Sequence, residues 1–594
     1  MTLRQGPSLI MHAITLGILA MAFLWQTTLA RRAWSITFDE TFYLNTALQT
    51  DHDARLDPRL SQNGTGALPV LLANVPAAMT VERTSRPSEW RGSPDDPPVN
   101  ALARLISSLL VGLPLVVIVY TWLLVRRGYL GATIGGAMMA FSPTVLAHAS
   151  LASTDACFAL ATLVSLAALA AWYRKPTPPR FLLAGATIGL AISSKYSGVF
   201  LFPVLLFVLL PRMWERSSST GWRRFVAVGW MTGARLVLVA ALAGLVVWAT
   251  DGFSFSGPLK TVPVEETPAN SPWVKVLGNG PTASWIMDAA HRRLQRPSVV
   301  AAVIFRWLHN RRGHPAFLMG ERSMEGWRWY FPLAWIVKST IPEFLLSLAI
   351  VPLLVVALRS NIDEEVALGQ TRFVWLVAGG VFWVMVCMAR VNIGQRYLLV
   401  LYPLTFLIGI DLLCLVWRWR QRWLLVVGGL LMTAQVASAV AIAPHYLAYF
   451  SPLVGGAPQG RHYLVDSNID WGQDLPALRS ELERLGYDRP LLAYFGSADP
   501  EGYGLDVTMF PTVEEGQLDR FDVIAISASK LQGVYPDGDP FAPFRELSPT
   551  GTAGYSILLY DLADPQAAEA LRIAWRRYPD DERARYTEIQ DREP

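Results

Sequence analysis

Apolar residues that come in runs of about 20 leave a chain one comfortable fold, a set of bilayer-spanning helices, because the backbone must satisfy its own polar groups there. This sequence has such runs along most of its length. The first covers about residues 7–30, and others follow at 102–125, 130–148, 156–173, 181–194, 198–210, 225–250, 330–358, 373–388, 398–417 and 423–443. That makes about eleven expected spans and an α-helical polytopic membrane protein. The chain is 52% hydrophobic and 16% charged, against about 25% charged in soluble domains. The net charge of +4 is small and dispersed, so no nucleic acid partner is implied. Cys157, Cys387 and Cys414 all lie in apolar runs and read as small buried hydrophobes rather than a disulfide or zinc framework. The first run is too long for a signal-peptide core and reads as a retained helix. The two runs either side of Lys195 are short and read as a broken pair.

Lysine and arginine in short loops mark the cytoplasmic side. Arg126-Arg127, Arg174-Lys175, Arg212, Arg216, Arg223-Arg224, Arg418, Arg420 and Arg422 fall in alternate loops. The N-terminus is then cytoplasmic too. The other side receives nearly all the long polar sequence: loops 31–100 and 251–329, and everything after Pro444. Residues 1–443 are expected as one transmembrane domain. Residues 444–594 are expected as a small extracytoplasmic α/β domain, with strands at 491–495 and 523–527, a helix at 476–485 and a charged tail. In the first outer loop, Thr37 and Glu40 have capping-box spacing, so a helix is expected over 40–48. The run 67–79 is too short to span and reads as interfacial or re-entrant. The aromatic cluster at Trp327, Trp329, Tyr330 and Phe331 reads as an interfacial belt, with sugar stacking as the alternative.

Asp39 and Glu40 lie where the chain leaves the first span. Adjacent side chains diverge by about 100° on a helix, so the two cannot serve one atom. Glu40 has the cap to make; Asp39 has no local task and is the one left to face a cavity. The competing role for both is to favour a helix N-terminus. Asp155, in Ser153-Thr154-Asp155, is either an N-cap or an acid at the outer rim. His148 is an interfacial histidine or a site residue. Lys195, Lys338 and Arg396 sit at outer helix ends, where each can snorkel to headgroups. Positive charge is the less expected sign on that side, and three converging cations suit a phosphate, arginine through its bidentate fork. No GxxxxGK[ST], strand–helix GxGxxG, HExxH or GxSxG pattern is present, so no nucleotide cofactor is expected and an activated group has to arrive on a lipid.

Taken in order, Phe38-Asp39-Glu40, Pro97-Pro98, Ser153-Thr154-Asp155, Lys338-Ser339-Thr340-Ile341-Pro342 and Gly394-Gln395-Arg396-Tyr397-Leu398-Leu399 with Tyr402-Pro403 resemble the GT-C glycosyltransferases. Within that superfamily the nearest likeness is the protein O-mannosyltransferase and aminoarabinose lipid A transferase group. The segment 463–474, Tyr-Leu-Val-Asp-Ser-Asn-Ile-Asp-Trp-Gly-Gln-Asp, resembles one that follows the spans in bacterial relatives. The resemblance implies an inverting enzyme of the plasma (inner) membrane. It would move a sugar from a polyprenyl-phosphate donor to a hydroxyl of a glycan, lipid or protein outside the cytoplasm. By the same resemblance Asp39 is the base, Asp155 the second acid and Arg396 the family's arginine; Glu40, Lys195, Lys338, Arg396, Tyr397 and His148 are expected to contact substrate. Metal use stays open, a divalent cation shared by Asp39 and Asp155 being one arrangement. The histidine common before the family's Pro-Pro is Asp96 here, and no β-trefoil domain is visible. The main rival from another class is a lipid-glycan transporter or flippase, against which stand the absence of a repeat and the placing of polar groups at outer helix ends. A non-catalytic assembly protein and a glycan ligase are the other readings.

Overall fold

Eight helices among the described residues are long and apolar enough to cross a bilayer: Leu9–Ala33, Val99–Ala140, Thr154–Arg174, Tyr196–Arg216, Gly221–Thr250, Ile341–Arg359, Gly369–Cys387 and Arg422–Ile442. The computed structural model describes residues 9–80, 99–256, 272–278, 280–291, 296–359, 366–417, 421–535, 538–580 and 583. Asp96, Pro97, Pro98, Pro268, Arg418 and Arg420 lie outside them.

Three of the eleven expected spans fall outside these eight because their helices are short or broken. The run 130–148 continues the preceding helix past a non-helical Gly128 at φ 72°. It stops at Phe141, and Pro143 opens a separate seven-residue helix, Pro143–Ala149. The run 181–194 is a 17-residue helix, Pro178–Ser194, and 398–417 is a 16-residue helix, Leu401–Val416. At 1.5 Å per residue, helices of this length fall short of a core about 30 Å thick. Leu401–Val416 is nonetheless buried almost throughout, so the other helices, not lipid, surround it. The expected run 330–358 is two helices, Tyr330–Lys338 and Ile341–Arg359, with Ser339 extended between them. The pair around Lys195 is broken as expected: Lys195 is extended between Pro178–Ser194 and a 3-10 turn, Tyr196–Phe200.

Small residues set the close crossings. A Cβ on Gly189 would stand 2.7 Å from the Val246 side chain and 3.0 Å from Ala243. Gly185 and Gly189 thus let Pro178–Ser194 lie against Gly221–Thr250, the small-residue contact typical of membrane helices. Arg104 and Arg126 lie on one helix about 33 Å apart by helical rise, at opposite ends of the bundle. At the Arg126 end, buried Asp411 accepts from Arg126, Arg127 and Arg372 at 3.0, 2.7 and 2.9 Å.

The Arg104 end carries the rest. Phe38–Asp53 is a helix, longer than the expected 40–48. The 67–79 segment is helical over Ala67–Ala78 with a π-helical middle, and it buries Ala67, Val70, Ala73 and Ala77. The C-terminal region holds a five-stranded sheet. Strand Pro490–Ala493 pairs parallel with Val523–Ser527 and with Thr508–Met509. Ile557–Asp561 pairs antiparallel with Val523–Ser527 and Gly551–Ala553. The helix Leu475–Leu485 lies beside it.

The segment 463–474 is a strap between this region and the bundle. Asn468 donates from Nδ2 to the Tyr330 hydroxyl at 3.1 Å and accepts the Gln395 N–H at 2.8 Å. Ser467 donates to Ile393 O at 2.8 Å. On its other side Asp466 N–H donates to Ser529 Oγ at 3.0 Å, and Asp470 accepts the Ser529 N–H at 2.8 Å.

Candidate active site

The site is built where three separate stretches of chain meet the strap. The first is the start of the helix Phe38–Asp53. Its capping contacts form as the Thr37–Glu40 spacing predicts, with the Glu40 carboxylate accepting the Thr37 N–H at 3.0 Å and the Thr37 hydroxyl at 2.8 Å. The same carboxylate accepts Arg104 Nη2 at 2.6 Å and the Ala152 N–H at 2.9 Å, with both side chains 1% exposed. Burial opposes ionisation of Glu40, but Arg104 and these hydrogen bonds outweigh it and hold the carboxyl below its usual range. Helical geometry then sends Asp39 the other way. Its side chain is 26% exposed and its Oδ2 accepts Arg396 Nη1 at 2.5 Å.

Arg396 sits in a 3-10 turn, Gln395–Leu398, just after the extended Gly394. A Cβ on Gly394 would stand 2.3 Å from Ser467 Oγ, so glycine is what lets this turn press on the strap. The guanidinium lies 4.5 Å over the Trp471 ring, the geometry of a cation–π contact. Burial disfavours the charged form, yet Asp39 and then Asp155 overcome it and hold Arg396 well above the usual arginine value. Asp155, buried in the first turn of Thr154–Arg174, has Oδ2 3.9 Å from Arg396 Nη1 and Oδ1 2.5 Å from Lys195 Nζ. The extended Lys195 that breaks the helix pair also places its ammonium 4.2 Å over the Tyr397 ring. Asp39, Arg396, Asp155 and Lys195 thus form a chain of alternating sign whose charges sum to zero.

Two lobes of one cleft open beside Asp39. One, about 330 Å³, is lined by Asp39, Lys195, Arg306, His309, Arg396 and Tyr397 among others. The other, about 350 Å³, is lined by Asp39, Arg396, Asp466, Trp471, Phe495 and Tyr535 among others. Of the residues expected from sequence, Asp39, Arg396, Lys195 and Tyr397 reach the cleft and Asp155 stands behind the two cations. Three do not line it. Glu40 faces Arg104. Lys338 donates to Leu447 O at 2.8 Å and Asn468 O at 2.5 Å. His148 packs edge-on against Trp471, centroids 6.2 Å apart. Sequence reasoning had no role for Asp466, Trp471, Phe495 or Tyr535. The crowding of Asp, Asn and Trp in 463–474 was the available clue to the first two.

A metal shared by Asp39 and Asp155 does not fit this arrangement, because the Arg396 guanidinium takes the space between the two carboxylates. Among the described residues no group of three or more His, Cys, Asp or Glu side chains is gathered as a metal site.

Residues 90–255 match the family described as dolichyl-phosphate-mannose-protein mannosyltransferase. That stretch carries the family's pattern. It contains Arg104, Asp155 and Lys195, whereas Asp39, Arg396 and the strap lie outside it. The resemblance to mannosyltransferases read in the sequence is met there. Among solved structures, the archaeal oligosaccharyltransferase AglB from Archaeoglobus fulgidus, in complex with an inhibitory peptide and a dolichol-phosphate, is similar at TM-score 0.44 and 15% identity, over 73% of this chain and 56% of that one. This chain therefore spans little more than half of AglB. The S. cerevisiae protein O-mannosyltransferase Pmt1-Pmt2 complex bound to the sugar donor is similar at 0.31 and 18%, over 46% and 37%. ArnT from Cupriavidus metallidurans bound to undecaprenyl phosphate is similar at 0.28 and 12%, over 93% and 98%. No curated protein matches the chain.

Proposed function

We propose that this protein is an inverting membrane glycosyltransferase that takes a sugar from a polyprenyl-phosphate donor and passes it to an acceptor hydroxyl. The observation that carries the reading is the Asp39–Arg396 pair, open to a cleft and backed by Asp155 and Lys195. The cationic lobe, with Lys195, Arg306 and Arg396, suits the donor phosphate. The arriving phosphate competes with Asp39 for Arg396 and leaves one carboxylate oxygen free to accept a proton. Asp39 then takes the proton of the acceptor hydroxyl as that oxygen attacks the anomeric carbon. The bond from that carbon to the phosphate oxygen breaks, and the lipid phosphate leaves with the electron pair, its charge met by Arg396 and Lys195. Attack opposite the leaving group inverts the centre and needs one base. The arginines around Asp411, at the far end of the bundle, support a cytoplasmic location for that end; on this reading the site and the residues after Pro444 belong to the extracytoplasmic side of the plasma membrane.

The test is incubation of the purified protein with a panel of polyprenyl-phosphate sugars, reading free lipid phosphate by mass spectrometry. Release from at least one donor is expected. No release from any donor, with or without added acceptors, overturns the reading.

A further inference from the structure

Of the two lobes beside Asp39, one gathers Lys195, Arg306 and Arg396; the other shares Arg396, adds Lys530 and is walled largely by the C-terminal region. Phe38, Phe495 and Tyr535 stand in a row along it. The Phe38 and Phe495 centroids are 5.6 Å apart at 7°, and those of Phe495 and Tyr535 are 4.7 Å apart at 8°. Phe38, next to the proposed base, is 47% exposed and so presents its ring to the lobe. Opposite charges frame the row: Asp466, whose carboxylate accepts the Tyr535 hydroxyl, and Lys530. Phe495 and Lys530 each follow the carboxyl end of a strand, Pro490–Ala493 and Val523–Ser527, and these two strands are parallel. Ligands of open α/β sheets bind in that position. Gly472, at φ 83°, fixes the approach, since a Cβ there would stand 2.8 Å from Gly496 Cα. The strap thus holds the strand ends against the cleft.

We propose that the C-terminal region forms the acceptor subsite and that the acceptor is a saccharide. A sugar packs its C–H groups against the exposed ring of Phe38 and the edges of the stacked Phe495 and Tyr535, bonds its hydroxyls to Asp466 and Lys530, and turns one hydroxyl to Asp39. Strand addition, one common way to bind an extended peptide, is not on offer here, because the edge strands, Thr508–Met509 and Gly551–Ala553, do not line the lobe. This inference rests on the transferase reading above.

The test is saturation-transfer NMR on the full-length protein in detergent. The probes are methyl glycosides of glucose, galactose and mannose, and a capped hexapeptide containing Ser and Thr. At least one glycoside is expected to bind, with affinity on the order of tenfold weaker in Phe495→Ala and Phe495→Leu. Leu keeps apolar volume without a ring, and equal melting midpoints certify the fold. Binding of the peptide alone, binding of no probe by the wild type, or undiminished glycoside binding by a folded Phe495→Leu overturns the proposal. No donor is present, so failure here falls on the acceptor assignment, whereas absence of lipid-phosphate release falls on the donor chemistry.

Discussion

Asp39 and Glu40 are chemically near-identical neighbours that the fold separates into one that faces a cleft and one locked in a buried ion pair. Glu40, paired with Arg104 in a dry setting, is legible in sequence only as a cap; its partner is 64 residues away and no local pattern announces it. Removing one member of a buried pair strands the other, at a cost of about 3–5 kcal/mol. Glu40→Ala is expected to lower the melting midpoint accordingly, while Glu215→Ala, at an exposed pair, is expected to do almost nothing. Because the folded Glu40 carboxyl sits below its ordinary value of 4.5, its stabilisation is full above pH 4.5 and is lost as pH falls through that lower value. A melting midpoint that drops in acid for the wild type and less steeply for Glu40→Gln checks the sign. Asp39→Asn is expected to cut transfer by about 10²–10⁴, the usual contribution of a general base, with the melting midpoint nearly unmoved. Transfer at the wild-type rate would remove Asp39 from the chemistry. Arg396→Ala is expected to weaken donor use far more than Arg422→Ala, assayed as lipid-phosphate release against donor concentration.

At the scale of elements, the same local device was read once and missed once. Thr37-x-x-Glu40 was legible as a helix start. Thr340-Ile341-Pro342-Glu343 has the same spacing, with proline at an early helical position, yet it sits inside a long apolar run and reads there as part of one span. The helix in fact restarts at Ile341: the Glu343 carboxylate accepts the Thr340 N–H at 2.8 Å, and the Thr340 hydroxyl accepts the Glu343 N–H at 3.2 Å. Gln435 seals the corner, accepting the Thr340 hydroxyl at 2.6 Å and donating to Glu343 at 2.8 Å. The break has a use. It turns Lys338 away from the cleft and onto carbonyls beside the strap, which is why a cation expected to touch substrate does not line the cleft. Thr340→Val removes the cap and a buried hydrogen bond, and is expected to cost about 1–3 kcal/mol, read as a lower melting midpoint. A Gly128 break and two helices of 16 and 17 residues escaped the span count for a related reason: apolar run length does not report where the backbone turns.

At the scale of the whole molecule, the strands 490–493 and 523–527 and the helix beginning at 475 were legible to within a residue or two, but their docking was not. It rests on polar groups of the strap whose partners, Ser35, Tyr330, Gln395, Ser529 and Ser556 among them, are scattered along the chain. Asp470 is fully buried with one N–H donor to Oδ2, and burial, aided by Asp474 and Asp466, pushes its carboxyl up to about 8 from 3.8. Between those values the unfolded chain has lost the proton and the folded one keeps it, so stability falls as pH rises and levels off above about 8. Asp470→Asn is therefore expected to raise the melting midpoint at pH 8 and to have almost no effect at pH 4; a gain independent of pH would contradict this. The Ser35 hydroxyl bonds Gly472 O at 2.7 Å across 437 residues of sequence, and the Phe38 N–H bonds Trp471 O at 3.0 Å. During synthesis, then, the proposed base emerges among the first forty residues and waits for a clasp made more than four hundred residues later. A chain cut short before that point keeps the carboxylate but lacks the two bonds that fasten its helix start to the strap.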